Sequence, residues 1–279
     1  MSYKIIVDSC GELTEECKES GFYENVPLSI DVDGYQIIDD ETFDQADFLQ
    51  RVEASPNCPK SSCPSPERYM EAFEGEAEHI YVVTLSAELS GSYNSAELAR
   101  KLYTEKHREK KIHVFNSCSA SIGETLIGLK AEECEKAGKS FEETVETVEA
   151  YIKKQNTYFV LESLEALRKN GRLSNLKAFV ANALNIKPVM GATPIGTIQQ
   201  LDQARGMNRA LKRMVEIISK EIKSPKDKIL AISHCNCKER ALMVKEEILK
   251  AIPVKDVLVL DTNGISSLYA SNGGIIVVV

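Results

Sequence analysis

Ile80-Tyr81-Val82-Val83-Thr84-Leu85 and the following Ser86-Ala87-Glu88-Leu89-Ser90-Gly91-Ser92 join two patterns. The first six residues are apolar, β-branched or aromatic, which reads as a buried strand. The next seven are mostly small or hydroxyl-bearing. Tyr93, Ala96, Ala99 and Leu102 then recur at helical spacing. A strand therefore runs through a Ser/Gly turn into a helix, with Ser90 placed as N-cap. The free N–H groups and positive dipole end of such a helix attract anions. Serine hydroxyls beside them can donate to a carboxylate or phosphate. The competing reading is that Ser90 only caps its helix.

Two more stretches repeat the design. Tyr3 to Val7 ends in Asp8-Ser9-Cys10-Gly11, with a helix from about Thr14. Ile112 to Phe115 ends in Asn116-Ser117-Cys118-Ser119-Ala120-Ser121, again ahead of a helix. Strands alternating with helices imply a parallel sheet. Ligands of open α/β sheets bind beyond the carboxyl ends of the strands. The three turns are thus expected to converge on one edge and line a site that includes Asp8, Ser9, Ser90, Gly91 and Ser117. Asp8 could instead accept N–H bonds of its own turn.

Between these strands, Asp33-Gly34 signals a hairpin joining Val26–Val32 to Tyr35–Ile38. Asp44 starts a short helix. Ser55 to Pro66 holds four prolines and reads as a loop containing Lys60-Ser61-Ser62-Cys63. Ser65-Pro66 opens another helix, and Ser140-Phe141-Glu142-Glu143 is a capping box.

A boundary is expected near Gln155-Asn156, dividing 1–155 from 156–279. The second half should hold strands at Thr157–Leu161, Ile186–Met190, Ile195–Gln199, Lys228–Ser233, Val257–Leu260 and Ile275–Val279. Helices are expected to carry Leu164 and Leu167, then Leu176, Phe179, Val180 and Leu184, then Met207 to Ile218, then Leu242 to Leu249.

Composition narrows the function. The 279 residues are 43% hydrophobic and 27% charged, as in a soluble globular protein. No apolar run approaches the roughly 20 residues of a membrane-spanning helix. The N-terminus enters a strand at once, so a secretory leader is not expected and a cytoplasmic location is. A net charge of -8 without a basic stripe argues against nucleic-acid binding. The eight cysteines are then expected as thiols. His234-Cys235-Asn236-Cys237 lacks a second ligand pair, so no structural metal is expected. No phosphate-loop or dinucleotide motif occurs, so no nucleotide cofactor is expected.

Several segments together resemble the DegV family of bacterial fatty-acid-binding proteins. Asp8-Ser9-Cys10-Gly11-Glu12-Leu13 looks like its opening Asp-Ser-x-x-Asp-Leu, with Glu12 for Asp. Ser61-Ser62-Cys63-Pro64-Ser65 is similar to its Thr-Ser-Gln-Pro-Ser. Leu85 to Tyr93 is similar to its Leu-Ser-Ser-x-Leu-Ser-Gly-Thr-Tyr. Gly171-Arg172-Leu173-Ser174 and Leu184-Asn185-Ile186-Lys187-Pro188 resemble its second-domain signatures.

The resemblance implies a two-domain α/β fold: an N-terminal α/β/α domain with a mainly parallel sheet, then a C-terminal α/β domain. It implies a carrier, not an enzyme, and a monomer. The carrier buries a long-chain fatty acid and presents it to a separate ATP-dependent fatty acid kinase. Carried over by position, Ser61 and Ser90 hold the carboxylate, with Ser62 and Gly91 beside them. Arg172 and Arg205 are candidates to face the kinase; both could equally be ordinary surface arginines. One departure stands out: the family's His before Gly-Pro-Gly is missing. Ala270 stands there, or Tyr269 if the alignment slips. The alternatives are a serine-dependent acyl hydrolase or a binder of another lipid-like ligand. A hydrolase needs a base for its serine, and only His234 sits near the carboxyl end of an expected strand.

Overall fold

A computed structural model describes residues 2–174 and 185–279. The chain starts with strand β1 (Tyr3–Asp8), helix α1 (Glu15–Glu19) and strand β2 (Tyr23–Val26). An excursion follows: β3 (Ser29–Val32), β4 (Tyr35–Ile38), α2 (Gln45–Ala54), β5 (Lys60–Ser62) and α3 (Pro66–Ala72). The alternation then resumes with β6 (His79–Thr84), α4 (Ser92–Thr104), β7 (Lys111–Asn116), α5 (Ile122–Lys136) and α6 (Phe141–Ile152).

Strands in the order β2-β1-β6-β7 form a sheet that is parallel throughout, as the strand–turn–helix repeat implies. Its strands are nearly continuous apolar runs because helices cover both faces. Ile6, Ile80 and Val82 pack towards α3 and α4. Ile5, Val7, Tyr81 and Phe115 pack towards α5 and α6.

The remainder contains β8 (Thr157–Val160), α7 (Glu165–Lys169), β9 (Ile186–Ala192), β10 (Ile198–Arg205), α8 (Met207–Glu221) and β11 (Ile229–His234). It ends with α9 (Lys238–Ala251), β12 (Asp256–Asp261), α10 (Gly264–Ala270) and β13 (Ile275–Val278). These strands form a mixed sheet, β10-β9-β8-β13-β11-β12, in which only the β11–β12 pair is parallel. The apolar stripe of α8 (Met207, Leu211, Met214, Ile218) covers one face. Ile122 and Leu126 of α5 meet Ala231 and Val278 from the other. No helix among the described residues is long and apolar enough to cross a membrane.

Several expectations shift. Asp33-Gly34 does turn a hairpin, but its arms are only β3 and β4; Val26 belongs to β2 in the parallel sheet. The proline-rich loop contains a strand, because β5 pairs with β3 across from β4. Strand β10 begins at Ile198 and runs to Arg205, since Thr193–Thr197 closes a tight turn first. Helix α10 was not expected at all. The helix assigned to Leu176, Phe179, Val180 and Leu184 lies outside the described residues.

The N-cap assignment of Ser90 is also corrected. Helix α4 begins at Ser92, and the cap position is Gly91, whose backbone is already helical. The amides of Leu89 and Ser90 both fold back on the Ser86 carbonyl. Among the described residues the Ser90 hydroxyl accepts only the Ser92 N–H, 3.2 Å away. That is a local Ser turn, not a helix cap.

Candidate functional site

The carboxyl ends of β1, β6 and β7 do meet, and an acid ties them together. Asp8 is fully buried. Its Oδ1 accepts the Cys10 N–H at 3.1 Å; its Oδ2 accepts the Leu85 N–H at 3.0 Å and the Ser92 hydroxyl at 2.6 Å. Burial pushes its carboxyl above the usual range, against these donors. Ser9 is equally buried, and its hydroxyl accepts the Leu28 N–H. Both residues were candidates for the ligand, with Asp8 read alternatively as an acceptor of its own turn's N–H groups, which is the bond that the Cys10 N–H makes. The structure places them behind the site, with their polar atoms bound to protein.

The turn after β7 is bound up in the same way. The Ser117 hydroxyl donates to the Ser119 carbonyl and accepts the Ser119 N–H, both at 3.0 Å. Ser119 shares a 2.6 Å bond with Thr157 of β8. Ser121 donates to Glu12 at 2.9 Å and shares a 2.6 Å bond with Ser233 of β11. Glu12 is buried, and burial raises its carboxyl to about 8. Glu124 is buried, and among the described residues neither of its carboxyl oxygens has a hydrogen-bond partner; burial and Asp8 push its carboxyl well up.

In front of these turns, between the two large sheets, lies a cavity of about 100 Å³. Its wall is almost wholly apolar: Leu85 and Leu89 after β6, Phe159 within β8 and Leu161 after it, Ile198 of β10, Ile265 of α10 and Ile276 of β13. Two of its polar members, Ser119 and Thr157, bond to each other.

Tyr269 of α10 also lines the cavity, and its hydroxyl shares a 2.8 Å bond with Ser61 of β5. The Arg172 guanidinium lies over the Tyr269 ring, 5.5 Å from its centre, and donates to the Leu89 carbonyl at 3.1 Å. Burial raises the Tyr269 hydroxyl, while Ser61 and Arg172 pull it back down. Ser90 follows cavity-lining Leu89 and is half-buried. Gly91 packs so closely on Cys63 that a Cβ there would sit 3.1 Å from the sulfur. Ser95 of α4 donates to the Pro64 carbonyl. The segment holding Ser61 and the turn holding Ser90 therefore abut at one rim. Ser62 is exposed beside them. Arg205 is exposed at the end of β10, and no hydrogen bond or ion pair among the described residues joins it to this rim.

Sequence reasoning named Tyr269 only as a stand-in for the missing histidine. A stronger signal was available: Ile265, Leu268 and Tyr269 stand at the i, i+3, i+4 spacing of a buried helix face.

The profile described as "Uncharacterised protein, DegV family" matches residues 2–279. The chain belongs to the DegV family. A DegV domain-containing protein of Streptococcus pneumoniae is 37% identical over 279 residues, spanning 99% of this chain and 98% of the relative. A crystal structure of a DegV family protein from Ruminococcus gnavus, refined with vaccenic acid, is 57% identical. It covers all of both chains with a TM-score of 0.97. The Streptococcus pneumoniae fatty acid kinase B3 protein, loaded with linoleic acid, is 35% identical with a TM-score of 0.91, covering 100% and 99% of the two chains. The Eubacterium eligens DegV protein, loaded with heptadecanoic acid, is 30% identical with a TM-score of 0.90, covering 99% of each chain. Each aligned over the whole chain, these DegV structures share the two-sheet α/β architecture described above.

Proposed function

We propose that this DegV protein binds one long-chain fatty acid per chain and carries it to a separate ATP-dependent kinase. One observation carries the reading: an apolar cavity between two sheets, lined in part by Tyr269, whose hydroxyl is bonded to Ser61. An alkyl chain needs a continuous apolar wall and gains about 0.8 kcal/mol per buried methylene. Its carboxylate needs donors at one end. Ser61, Tyr269 and Ser90 can supply hydroxyls, and Arg172 a nearby positive charge. The fatty acids in the Ruminococcus, Eubacterium and Streptococcus structures support the ligand class. The Streptococcus relative, by its name a fatty acid kinase protein, supports the partner.

In this reading the kinase moves the γ-phosphoryl group of ATP onto the bound carboxylate, releasing ADP. The protein itself is a cytoplasmic monomeric carrier without a catalytic residue. Its lobes are 1–155 and 156–279, each with apolar cores on its own sheet. Arg172 and exposed Arg205 are the candidate contacts for the kinase.

A hydrolase is disfavoured by where the histidines sit. His79 is bound to Glu135 and His234 lies against Asp261 and the Cys237 amide. No histidine hydrogen-bonds Ser61 or Ser90 among the described residues. Titration of delipidated protein with oleic acid and with its methyl ester tests the proposal. The acid should bind at one per chain and the ester should bind far more weakly. Turnover of the ester, or equal affinity for both, contradicts it.

A further inference from the structure

We propose that Asp39, which lies outside the cavity, is the positioning residue for the carboxylate contact Tyr269. It does so by holding the start of α10 on the same small sheet that carries Ser61. The proposal rests on the fatty-acid reading above and deepens it.

Helix α10 has only seven residues, and four of its members, Ile265, Ser266, Tyr269 and Ala270, line the cavity. A helix this short is marginal on its own. Its first amides are capped from far away in the sequence. Asp39 Oδ1 accepts the Gly264 N–H at 2.6 Å, and Oδ2 accepts the Ile265 N–H at 2.9 Å. Asn263, at the N-cap position, makes no side-chain cap; its amide reaches instead towards the Ser9 and Gly11 carbonyls. A Cβ on residue 264 would sit 2.6 Å from Asp39 Oδ1, so glycine is required for this approach.

The other end of α10 is held by the same sheet. Strand β3 lies between β4 and β5, with Ile30 opposite both Ile37 and Ser61. Asp39 directly follows β4, and its own N–H is fixed to the Leu28 carbonyl. Ile265 and Leu268 pack on Leu28 and Ile30 between these two anchors. The sheet therefore grips α10 at its first turn through Asp39 and at Tyr269 through Ser61. Loss of the first grip frees the helix to shift, and the Tyr269 hydroxyl moves with it.

Asp39 also titrates where the effect can be read. The charged groups turned towards it are Asp8 at the end of β1 and Glu12 in the next turn; Ser9 is its other polar neighbour. Asp40, next in the chain, turns its carboxylate to Thr42. Burial, and to a lesser degree Asp8, raise Asp39 to about 6, against the two amides and Ser9, which favour its charge. On protonation one carboxyl oxygen becomes a donor and ceases to cap.

The test is calorimetric titration of the delipidated full chain. Oleic acid at about pH 7.5 establishes binding. Hexadecanesulfonate, whose head does not titrate, is then used at about pH 7.5 and about pH 5.5, on either side of the Asp39 transition. Asp39→Asn is expected to weaken binding about tenfold at the higher pH, equivalent to about 1.4 kcal/mol. In a Tyr269→Phe background the same change should cost less than about twofold, because Asp39 acts through that hydroxyl. Wild-type affinity should fall several-fold at the lower pH, and Tyr269→Phe affinity should not. The pH arm decides alone if Asp39→Asn does not fold. An equal loss in both backgrounds, or an acid-induced loss that persists in Tyr269→Phe, overturns the positioning role while fatty-acid binding stands. Failure of the wild type to bind oleic acid overturns the carrier reading and this proposal with it.

Discussion

The turn after β6 and the turn after β7 leave neighbouring strands of one parallel sheet, and both are built largely from serines, yet their hydroxyls are used differently. After β7, Ser117, Ser119 and Ser121 are all buried and bonded to backbone, to Thr157, or to Glu12 and Ser233. After β6, Ser86 donates to the Gly196 carbonyl and Ser92 to Asp8. Ser90 is half-buried with a single weak tie to its own turn, and its hydroxyl hydrogen has no acceptor among the described residues. Position at a sheet edge brings hydroxyls near a ligand. Whether one remains available depends on whether backbone and buried acids have already claimed it.

The contrast predicts opposite behaviour for two conservative changes. Ser121→Ala should destabilise the fold by about 2–4 kcal/mol in urea unfolding, because Glu12 loses its hydroxyl partner inside the protein. A loss under about 0.5 kcal/mol would mean the second turn is not structural. Ser90→Ala should leave stability within about 0.5 kcal/mol and weaken fatty-acid binding by about 1.5–3 kcal/mol, the range for a hydrogen bond to a charged group. Ser117→Ala, offered as the matching change in the other turn, should leave affinity unaltered. Equal affinity losses at Ser90 and Ser117 would erase the distinction.

A smaller effect follows from Glu12. Its folded carboxyl is raised to about 8, far above the value of an unfolded chain. The folded state then holds a proton that the unfolded state has lost, so stability falls as pH rises through about 8. Between about pH 7 and about pH 9 the loss should be about 1.4 kcal/mol. Glu12→Gln should flatten that slope. Stability that rises over this range would show that Glu12 is ionised in the fold.

The parallel sheet was legible because its strands are apolar runs that each end in a small polar turn. Thr14, Asp44 and Ser65 cap their helices, and Ser140 forms a capping box, as local chemistry requires. Strand β5 was not legible. A three-residue strand in a proline-rich segment has no period to detect, and only pairing with β3 defines it. Asp39 was invisible for a similar reason: its partners, Gly264 and Ile265, lie more than 200 residues away. The motifs around Ser61 and Ser90 pointed to two segments that the fold brings side by side. Asp8 and Ser9 share the same sheet edge; the turn amide on Asp8 was legible in its local chemistry, whereas the Leu85 and Ser92 donors to Asp8 and the Leu28 donor to Ser9 come from distant segments.

The central claim is that the cavity behind the Ser61–Tyr269 pair holds a fatty acid. Mass spectrometry of the protein under native conditions, followed by analysis of the lipid it releases on denaturation, tests this most directly. The account predicts one long-chain fatty acid per chain in the wild type and reduced occupancy in a Ser61→Ala, Ser90→Ala double variant. A protein that purifies empty and takes up no fatty acid when one is supplied would contradict it.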